Sequence, residues 1–589
     1  MKVLFLVPPY RTTDALNIVR YPMPYGPVIL STILRGAGHE VTLKDFLLPN
    51  LCTSTPAPES FAGKKGPRYA HFGTPLDECL EWIDAHLSFF DVVCLDMCQC
   101  NVWEAGAEIA KHIKKAGVPL VVGGPFATTS PDEVAELTGA DIICVGEGEG
   151  VVVELVERAV RGEKGVFKGS DDGHILDLET IPVPDWDFAP PRDYPAMGGK
   201  IRGVLCVSRG CPWLCTFCSV HTIMGRKHRR LPHTRIVLEL EEMIRQGVEY
   251  VCFLDDNLFI SPAAIDDVLG AIDECKRRHP AWGKKAKFYA EEGMEVRIAA
   301  IPGVARRIKD AGFQLITLGM ETYNDTRKDE AKKPYTREQL VAAAENCKEA
   351  GFVPRAFYIV GLPGDTVESV ARDLIGFAKL GIEARTNNLK LYPGTDATQF
   401  FRDKGLLDDY DWRLSSHYTP DLPEMPYKDV RVLRGYLKGI SSAPADHGIN
   451  IVLDPIDEIM GKFVASKYRM ELIGEPGTPL SVKITGNMFR AGPIAHMAEL
   501  VCLRLGASGA KVKREETSVT AHPVSAPIHP IQKAVLSALV EHGVVENPPE
   551  VIPEALVVQK KGGKAMGRQA IVSGRYSLSG GILKKVRAW

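Results

Sequence analysis

Three cysteines lie within one short run of the chain, Ser208-Arg-Gly-Cys211-Pro-Trp-Leu-Cys215-Thr-Phe-Cys218. Any fold of this chain must bring their thiols together at one loop. Three clustered thiolates can hold three irons of a [4Fe–4S] cluster and leave the fourth iron open to a small molecule. A structural zinc site needs four ligands, usually as two pairs, and no second pair follows here. The spacing favours an open iron–sulfur cluster over the alternatives, a zinc knuckle or a chance grouping.

The Cys-x3-Cys-x2-Cys spacing, with Phe217 directly before the last cysteine, resembles the radical S-adenosylmethionine (radical SAM) superfamily. In that family the open iron binds the amino and carboxylate groups of S-adenosylmethionine, and electron transfer releases a 5′-deoxyadenosyl radical. The resemblance implies that Cys211, Cys215 and Cys218 hold a [4Fe–4S] cluster and that Phe217 contacts adenine. It also implies an external electron donor as a partner.

The length and net charge of the chain limit the classes of protein to which it can belong. The chain has 589 residues and a formal net charge of −3, which predicts several domains and no strong field for nucleic acid or a membrane surface. No apolar run reaches the roughly 18 residues that span a bilayer, and the N-terminus is typical of a first strand, not a signal peptide. Fourteen cysteines without a paired framework predict a reducing, cytoplasmic location.

Strand and helix patterns alternate over residues 1–160, which predicts a doubly wound parallel sheet of the α/β class. Residues 47–72 are rich in Pro, Ser and Gly and predict an insertion or loop. Ligands of such sheets bind beyond the carboxyl ends of the strands. Glycines are expected there because a backbone must approach something flat or bulky. Sheets of this kind bind nucleotides, flavin or nothing, so the topology leaves the ligand open.

The order of parts resembles the cobalamin-dependent radical SAM enzymes over roughly residues 1–400. A sheet opening Leu-Phe-Leu-Val-Pro-Pro-Tyr is followed by Gly-Gly-Pro, then Gly-Glu-Gly-Glu, then the cysteine run. The Asp-x-His-x-x-Gly motif of some cobalamin proteins is absent, which implies that no histidine binds cobalt. Cys98 and Cys100 are then either cobalt ligands or merely packed. The resemblance implies cobalamin contacts at Tyr10, Gln99, Cys100, Gly123, Gly124, Gly146 and Glu147.

Six further strand–helix units follow residue 200, and nearly every predicted strand ends in polar residues or a glycine turn. In a barrel built this way, such positions form the active site. The family's partial (β/α)6 barrel fits this pattern, and the resemblance carries S-adenosylmethionine contacts over to Asp255, Asp256, Glu321, Gly361 and Pro363. For the two aspartates, helix capping and surface salt bridges are the alternative.

The resulting prediction has three domains, with the last of the α+β class. The C-terminal domain either closes the barrel or makes a dimer, or it docks the substrate. Its predicted helices are Ile494–Leu505 and Pro530–Glu541. The predicted boundaries are 1–160 for the cobalamin-binding domain, 161–199 for a linker, 200–400 for the radical SAM domain, 401–436 for a linker and 437–589 for the C-terminal domain.

The resemblance implies a methyltransferase that uses both cofactors on an unactivated carbon. The substrate is a peptide or protein residue, such as a glutamine of methyl-coenzyme M reductase, or a small molecule; nucleic acid and membranes are not expected partners. Two alternatives stay open. One is a cyclase or oxidoreductase with the same cofactors and no methyl transfer. The other is a cobalamin or iron–sulfur sensor, which needs no open cleft.

Overall fold

The structure, a computed structural model, describes residues 1–12, 23–48, 52–55, 69–98, 102–169, 173–175, 177–290 and 292–408, and short stretches beyond. The chain divides into two compact units. The first contains residues 1–320, 328–354 and 389–420, and the second contains 321–327, 355–388 and 421–589. The first unit therefore contains both the N-terminal sheet and the cysteine run.

The N-terminal part alternates strands and helices as predicted. Its strands are β1 (Lys2–Val7), β2 (Tyr10–Thr12), β3 (Glu40–Asp45), β4 (Cys52–Thr55), β5 (Tyr69–Phe72), β6 (Val92–Asp96), β7 (Leu120–Gly123), β8 (Ile142–Val145) and β9 (Gly165–Lys168). Its helices are α1 (Tyr25–Gly36), α2 (Leu76–His86), α3 (Trp103–Lys115), α4 (Pro125–Thr129), α5 (Pro131–Thr138) and α6 (Val152–Val160).

Six strands form one parallel sheet in the order β3-β1-β6-β7-β8-β9. The strand order reverses between β1 and β6, which is the switch point where open α/β sheets bind ligands. One expectation needs correction, because the sixth strand, β9, lies in the predicted linker. The predicted insertion or loop 47–72 contains β4 and β5, which form a small antiparallel sheet with β2.

The sequence of β1 explains why the sheet is covered on both faces. Leu4 and Leu6 are fully buried in one apolar cluster, and Val3 and Phe5 are buried in a separate one. Alternate residues of a strand point to opposite faces, so a strand that is apolar throughout needs helices on both sides.

The connector after β9 is held against the first sheet. Trp186 is fully buried, and the Asp185 backbone N–H donates to the Thr32 hydroxyl at 2.9 Å. At the carboxyl end of β3, the Tyr194 hydroxyl donates to Asp45 Oδ2 at 2.7 Å. The connector therefore reaches the edge of the sheet at which ligands of this fold bind.

The Tyr194–Asp45 hydrogen bond predicts a pH-dependent stability. Burial raises the pKa of Asp45 from 3.8 to about 6, and the bond from Tyr194 opposes that rise. Because the native state holds the proton more tightly, Asp45 costs stability as the pH rises from about 4 to about 6. Tyr194→Phe should steepen that loss. The hydrogen bond contributes about 1.5–3 kcal/mol to the free energy of unfolding near pH 8, where Asp45 is ionised, and about 0.5–1.5 kcal/mol near pH 5, where Asp45 is neutral.

Denaturant unfolding of Tyr194→Phe at the two pH values measures this difference. Tyr250→Phe is the matched control, because the Tyr250 ring stacks on Tyr289 while its hydroxyl makes no hydrogen bond in the part of the chain that the structure describes. Equal destabilisation of Tyr194→Phe at both pH values contradicts the prediction.

The central part also follows the predicted alternation. Its strands are β10 (Arg202–Leu205), β11 (Ser208–Arg209), β12 (Arg229–Arg230), β13 (Tyr250–Phe253), β14 (Lys287–Ala290), β15 (Thr317–Glu321), β16 (Arg355–Val360) and β17 (Glu383–Asn388). Its helices are α7 (Val220–Ile223), α8 (His233–Arg245), α9 (Pro262–Arg278), α10 (Pro280–Gly283), α11 (Val296–Ala299), α12 (Val304–Asp310), α13 (Asp325–Glu330), α14 (Arg337–Glu349), α15 (Val367–Lys379) and α16 (Asp396–Asp403).

Three strands of this part, β10, β13 and β14, form a parallel sheet in chain order. β10 pairs with β13 and β13 with β14, and the parallel bridges Phe288–Phe313 and Met294–Leu318 connect the β14 and β15 segments. In the second unit, β16 pairs in parallel with β17. The α/β class with parallel sheets is confirmed, while closure into a partial barrel stays a prediction.

The helix starts agree with the sequence only in part. The sequence predicts a cap at Ser261 and a capping box of Thr336 with Gln339, and the structure has both, at the starts of α9 and α14. The sequence also predicts a cap at His233 or Thr234, which is wrong because α8 starts at His233 and follows Pro232 without a side-chain cap. Among the described helices, none combines the length and apolar character that a membrane crossing requires.

The described stretches near the C-terminus are antiparallel strands. The predicted helices Ile494–Leu505 and Pro530–Glu541 lie outside the described residues. Two four-stranded sheets have the orders β18-β19-β26-β27 and β20-β21-β23-β22, and β24 pairs with β25. These strands are β18 (Ile440–Ser441), β19 (Asn450–Val452), β20 (Arg469–Ile473), β21 (Ser481–Thr485), β22 (Lys511–Arg514), β23 (Ser518–His522), β24 (Leu556–Val557), β25 (Ala570–Ile571), β26 (Arg575–Ser579) and β27 (Ile582–Val586).

Candidate functional site

The cysteine loop, residues 210–228, is closed at its base by two short strands. β11 enters the loop and β12 leaves it, and they pair antiparallel with Arg209 opposite Arg229. Gly210 has a φ of +81°, and a Cβ on it would lie 2.5 Å from the Lys227 carbonyl oxygen. Only glycine fits so tight a turn. The base of the loop is therefore fixed in the sequence directly before the first cysteine.

Cys218 lies within electrostatic reach of both other thiols of the loop. Cys211, Cys215 and Cys218 are half-buried. Burial, followed by the Cys215 thiol, the Asp256 carboxylate and the Cys211 thiol, raises the pKa of Cys218 to about 12. Within the described ranges, no three His, Cys, Asp or Glu side chains surround a single metal position. A [4Fe–4S] cluster asks for a different arrangement, one thiolate on each of three irons. Three adjacent thiols on one loop fit that donor set.

Backbone hydrogen bonds hold the middle of the cysteine loop. The Thr216 N–H donates to the Ala331 carbonyl at 3.4 Å, and the Ala397 N–H donates to the Thr216 carbonyl at 2.9 Å. Phe217 follows directly and is half-buried. Its predicted contact with adenine stays a prediction.

Asp255, two residues after β13, binds the segment that leads into the cysteine loop. Its Oδ1 accepts from the Ser208 hydroxyl at 2.6 Å and from the Val207 N–H at 3.1 Å, and the side chain is buried. The alternative of helix capping or a surface salt bridge is therefore wrong for Asp255. Its carboxylate positions the strand that leads into the cysteines, and its contact with S-adenosylmethionine stays a prediction.

The next two residues face the same region with different chemistry. Burial and the charge of Glu292 raise the pKa of Asp256 to about 6. The Asn257 amide nitrogen lies 4.0 Å from Cys211 Sγ, while its buried Oδ1 has no hydrogen-bond partner among the described residues. Asn257 is absent from the predicted site residues, although its place after the acidic pair is the signal that could have found it.

A buried ion network joins the first sheet to the base of the cysteine loop. Glu147 Oε2 lies 2.7 Å from Arg229 Nη1, and Glu147 Oε1 lies 3.2 Å from Arg209 Nη1. Arg209 Nη2 also contacts Glu149 at 2.6 Å. Every one of these side chains is less than a tenth exposed. Burial alone would raise the pKa of Glu147, but the bond from Arg229 and the charge of Arg209 hold it below its ordinary value.

This network changes the interpretation of Glu147. Both of its carboxylate oxygens are engaged by arginines, and Oε2 also accepts the Ile175 N–H. The expected contact with cobalamin therefore remains a prediction for its backbone alone. Sequence reasoning missed Arg209 and Arg229, because arginines beside a cysteine run have no distinctive spacing.

The glycines at the carboxyl edge of the first sheet have an internal explanation. Gly124 has a φ of +108°, and a Cβ there would lie 2.8 Å from the Met97 carbonyl oxygen. Gly146 has a φ of +86°, and its Cβ would lie 2.3 Å from the Gly173 carbonyl oxygen. The close approach that requires them is therefore to the chain itself, which corrects the stated reason for these glycines. A Cβ on Gly123 would meet only ordinary contacts.

Tyr10 lies at the switch point of the first sheet. It follows β1, is buried, and stacks on Phe72 with ring centroids 5.2 Å apart. Gln99 and Cys100 lie outside the described residues. Because β1 and β6 flank the reversal of strand order, Tyr10 borders the crevice of this fold. The topology thus fits a large flat cofactor bound over the carboxyl edge.

The remaining predicted residues belong to the second unit. Glu321 is buried and has a φ of +64°, a strained conformation for a residue with a Cβ and one that often marks functional sites. In the turn after β16, Asp365 Oδ2 accepts from the Gly361 N–H at 2.9 Å. The Pro363 carbonyl accepts from Arg327 Nη1 at 2.5 Å. The turn is thus braced from both sides, and its contact with adenine stays a prediction.

The cysteine assignment predicts a clear loss. Changing Cys211, Cys215 and Cys218 together to Ala should abolish the iron content, the visible absorbance and the cleavage of S-adenosylmethionine of the anaerobically reconstituted protein, because no thiolate remains to bind iron. Cys347→Ala is the control, since Cys347 is buried within α14 and should leave all of these intact. Cleavage retained by the triple variant contradicts the assignment.

Comparisons with known proteins agree with this geometry. The radical SAM superfamily profile matches residues 205–374. An uncharacterised methyltransferase of Pyrococcus horikoshii is 26% identical over 73% of this chain and 88% of its own length. The hopanoid C-2 methylase of Rhodopseudomonas palustris is 26% identical over 44% of this chain, and the chain spans only 48% of that relative.

One solved structure with a similar fold is the radical SAM methyltransferase TsrM of Kitasatospora setae, determined with cobalamin and a [4Fe–4S] cluster. Its TM-score is 0.51 at 18% identity, covering 68% of this chain and 78% of that one. The likeness supports the fold, while the profile and the methyltransferase relatives support the family. Residues 205–374 therefore match the radical SAM superfamily, and the chain is similar in sequence to proteins named as methyltransferases.

Proposed function

We propose that the protein methylates an unactivated carbon with S-adenosylmethionine, a [4Fe–4S] cluster and cobalamin. One observation carries the proposal: Glu147 and Glu149, beyond β8 at the ligand-binding edge of the first sheet, form buried ion pairs with arginines beside the cysteine loop. Transfer of a methyl group to a carbon radical requires both cofactors to converge on one substrate atom. An ion network that joins the two binding regions supports such convergence.

Each cofactor supplies part of the chemistry when bound: the cluster with S-adenosylmethionine supplies a radical, and cobalamin supplies the methyl group. The protein supplies placement and electrostatics. Cys211, Cys215 and Cys218 would hold three irons. Asn257 directs its amide N–H groups towards Cys211 Sγ, where they would favour the charged form of the sulfur.

Residues at the strand ends support this site. Asp255 holds the strand before the cysteines in place through Val207 and Ser208. Asp256, with its pKa raised to about 6, would be ionised near neutral pH and could then accept a hydrogen bond from the ammonium group of S-adenosylmethionine. We assign Phe217, Glu321, Gly361 and Pro363 to the surroundings of S-adenosylmethionine on the family resemblance.

We propose two candidate classes of substrate. A peptide or protein residue, such as a glutamine of methyl-coenzyme M reductase, is favoured by the length of chain beyond residue 437, which exceeds what a small substrate requires. A small apolar molecule is the second candidate, and the hopanoid methylase among the relatives favours it. An external electron donor and a cytoplasmic location belong to the same proposal.

Product analysis tests the proposal and its alternatives. With trideuteromethyl-labelled S-adenosylmethionine, the reconstituted protein should transfer the labelled methyl to a component of a peptide or a lipid extract. S-adenosylhomocysteine and 5′-deoxyadenosine should accumulate in equal amounts, because one S-adenosylmethionine donates the methyl group and another generates the radical. A cyclase or oxidoreductase would yield 5′-deoxyadenosine without labelled product, and a sensor would yield neither. Either result rejects the proposal.

Cobalamin is predicted to bind the first sheet without a histidine on cobalt. The Asp-x-His-x-x-Gly motif that supplies such a ligand in some cobalamin proteins is absent from residues 1–160. The electron paramagnetic resonance spectrum of the cob(II)alamin form should therefore show no nitrogen splitting from the protein. Nitrogen lines that persist after the dimethylbenzimidazole of the cofactor is replaced contradict this prediction.

A further inference from the structure

The ion network around Glu147 is electrically balanced and shut off from water. Two glutamates, Glu147 and Glu149, face two arginines, Arg209 and Arg229, and none of the four side chains is more than 9% exposed. Buried ion pairs of this kind often add little stability compared with apolar residues of the same size, while loss of one partner is strongly destabilising. Stability alone therefore gives a weak reason for the network.

Its geometry points to a second reason. Arg209 lies on β11, two residues before Cys211, and Arg229 lies on β12 directly opposite it. The Glu147 carboxylate binds both arginines, so one side chain of the first sheet holds both strands at the base of the cysteine loop. The Arg229 guanidinium donates to both Glu147 oxygens, at 2.7 and 3.0 Å, and such paired bonds fix orientation as well as distance.

Glu147 itself stands on a rigid support. It is the second residue after β8, and its backbone N–H donates to the Gly173 carbonyl at 2.8 Å. Gly146 approaches the same carbonyl too closely for any side chain. Arg229 Nη2 also donates to the Met224 carbonyl at 2.6 Å inside the loop. The contacts thus run without a break from the end of β8 into the cysteine loop.

We infer that Glu147 is a positioning residue that sets the place of the cysteine loop relative to the carboxyl edge of the first sheet. The inference rests on the proposed function, in which cobalamin binds that edge and the cluster occupies the loop. Glu147 touches neither reacting atom in this scheme. It acts through Arg209 and Arg229, which carry its position to the two ends of the loop.

Glu147→Gln tests the inference, because glutamine keeps the shape and removes the charge that balances two buried arginines. Asp141→Asn is the matched control: Asp141 is a buried carboxylate at the opposite end of β8, where it pairs with Lys114 and accepts the Leu120 N–H at 2.9 Å. In the full-length, iron-loaded protein, hydrogen exchange of the loop amides 210–228 should accelerate by about tenfold or more in Glu147→Gln, since bonds to charged groups are lost. Asp141→Asn should leave those amides unchanged.

A spectroscopic readout separates positioning from general stability. In protein that carries both the reduced cluster and cob(II)alamin, pulsed electron paramagnetic resonance measures the dipolar interaction between the two centres. Glu147→Gln should keep its iron and cobalamin content, but its dipolar interaction should be shifted or broadened. The dipolar interaction of Asp141→Asn should match that of the wild type. Arg229→Lys serves if Glu147→Gln fails to fold, because it keeps the charge, loses the paired bond, and should shift the interaction in the same way.

The outcomes decide separately on the two proposals. The inference is overturned if folded Glu147→Gln has the same hydrogen exchange in the loop and the same dipolar interaction as the wild type. Faster exchange spread evenly over the whole chain also overturns it, because Glu147 would then serve general stability. If the wild-type protein binds no cobalamin, the proposed function fails, and loop exchange in the iron-loaded protein still decides whether Glu147 positions the loop.

Discussion

The need to neutralise buried charge organises the centre of this protein. Arg209 and Arg229 are buried at the base of the cysteine loop, and each would be costly there without a partner. Glu147 and Glu149 meet that need from the end of β8. The loop that carries the cysteines and the edge of the first sheet are therefore bound by the same ion pairs, and neither can shift far without exposing or isolating a charge.

The surrounding structure converges on the same loop from other directions. Asp255 holds the strand before the cysteines, and Asn257 brings an amide next to Cys211 Sγ. The Ala331 and Ala397 segments bind the backbone at Thr216. Thiolates that must each meet one iron of a cluster benefit from such a preset loop, because less conformational freedom is lost when the iron binds.

The segment predicted as a linker, residues 161–199, is part of the folded structure. It contributes β9 to the first sheet, buries Trp186, and brings Tyr194 to Asp45 at the carboxyl end of β3. Asp45 is buried and Asp96 is half-buried, and loss of solvent raises the pKa of both. Each lies at the end of a parallel strand, so the carboxyl edge of the sheet combines desolvated acids with a topological switch point.

The amino-acid sequence by itself determined the parts that depend on short-range pattern. Apolar patterns predict a helix over Trp103–Lys115 and a strand over Ile142–Val145, and α3 and β8 have these bounds. The cysteine spacing predicts a cluster loop, and Thr336 with Gln339 predicts a capping box that the structure contains. These features depend on residues a few positions apart, where backbone geometry fixes which side chains meet.

Tertiary structure alone decided the contacts that link distant segments. The small antiparallel sheet of β2, β4 and β5 and the sixth strand β9 formed where the composition predicted a loop and a linker, because strand pairing depends on a partner elsewhere in the chain. Arg209 meets Glu149 across 60 residues and Arg229 meets Glu147 across 82. No local pattern encodes such pairs: an arginine beside a cysteine is ordinary in a sequence, and its role follows from the carboxylate that folding brings to it.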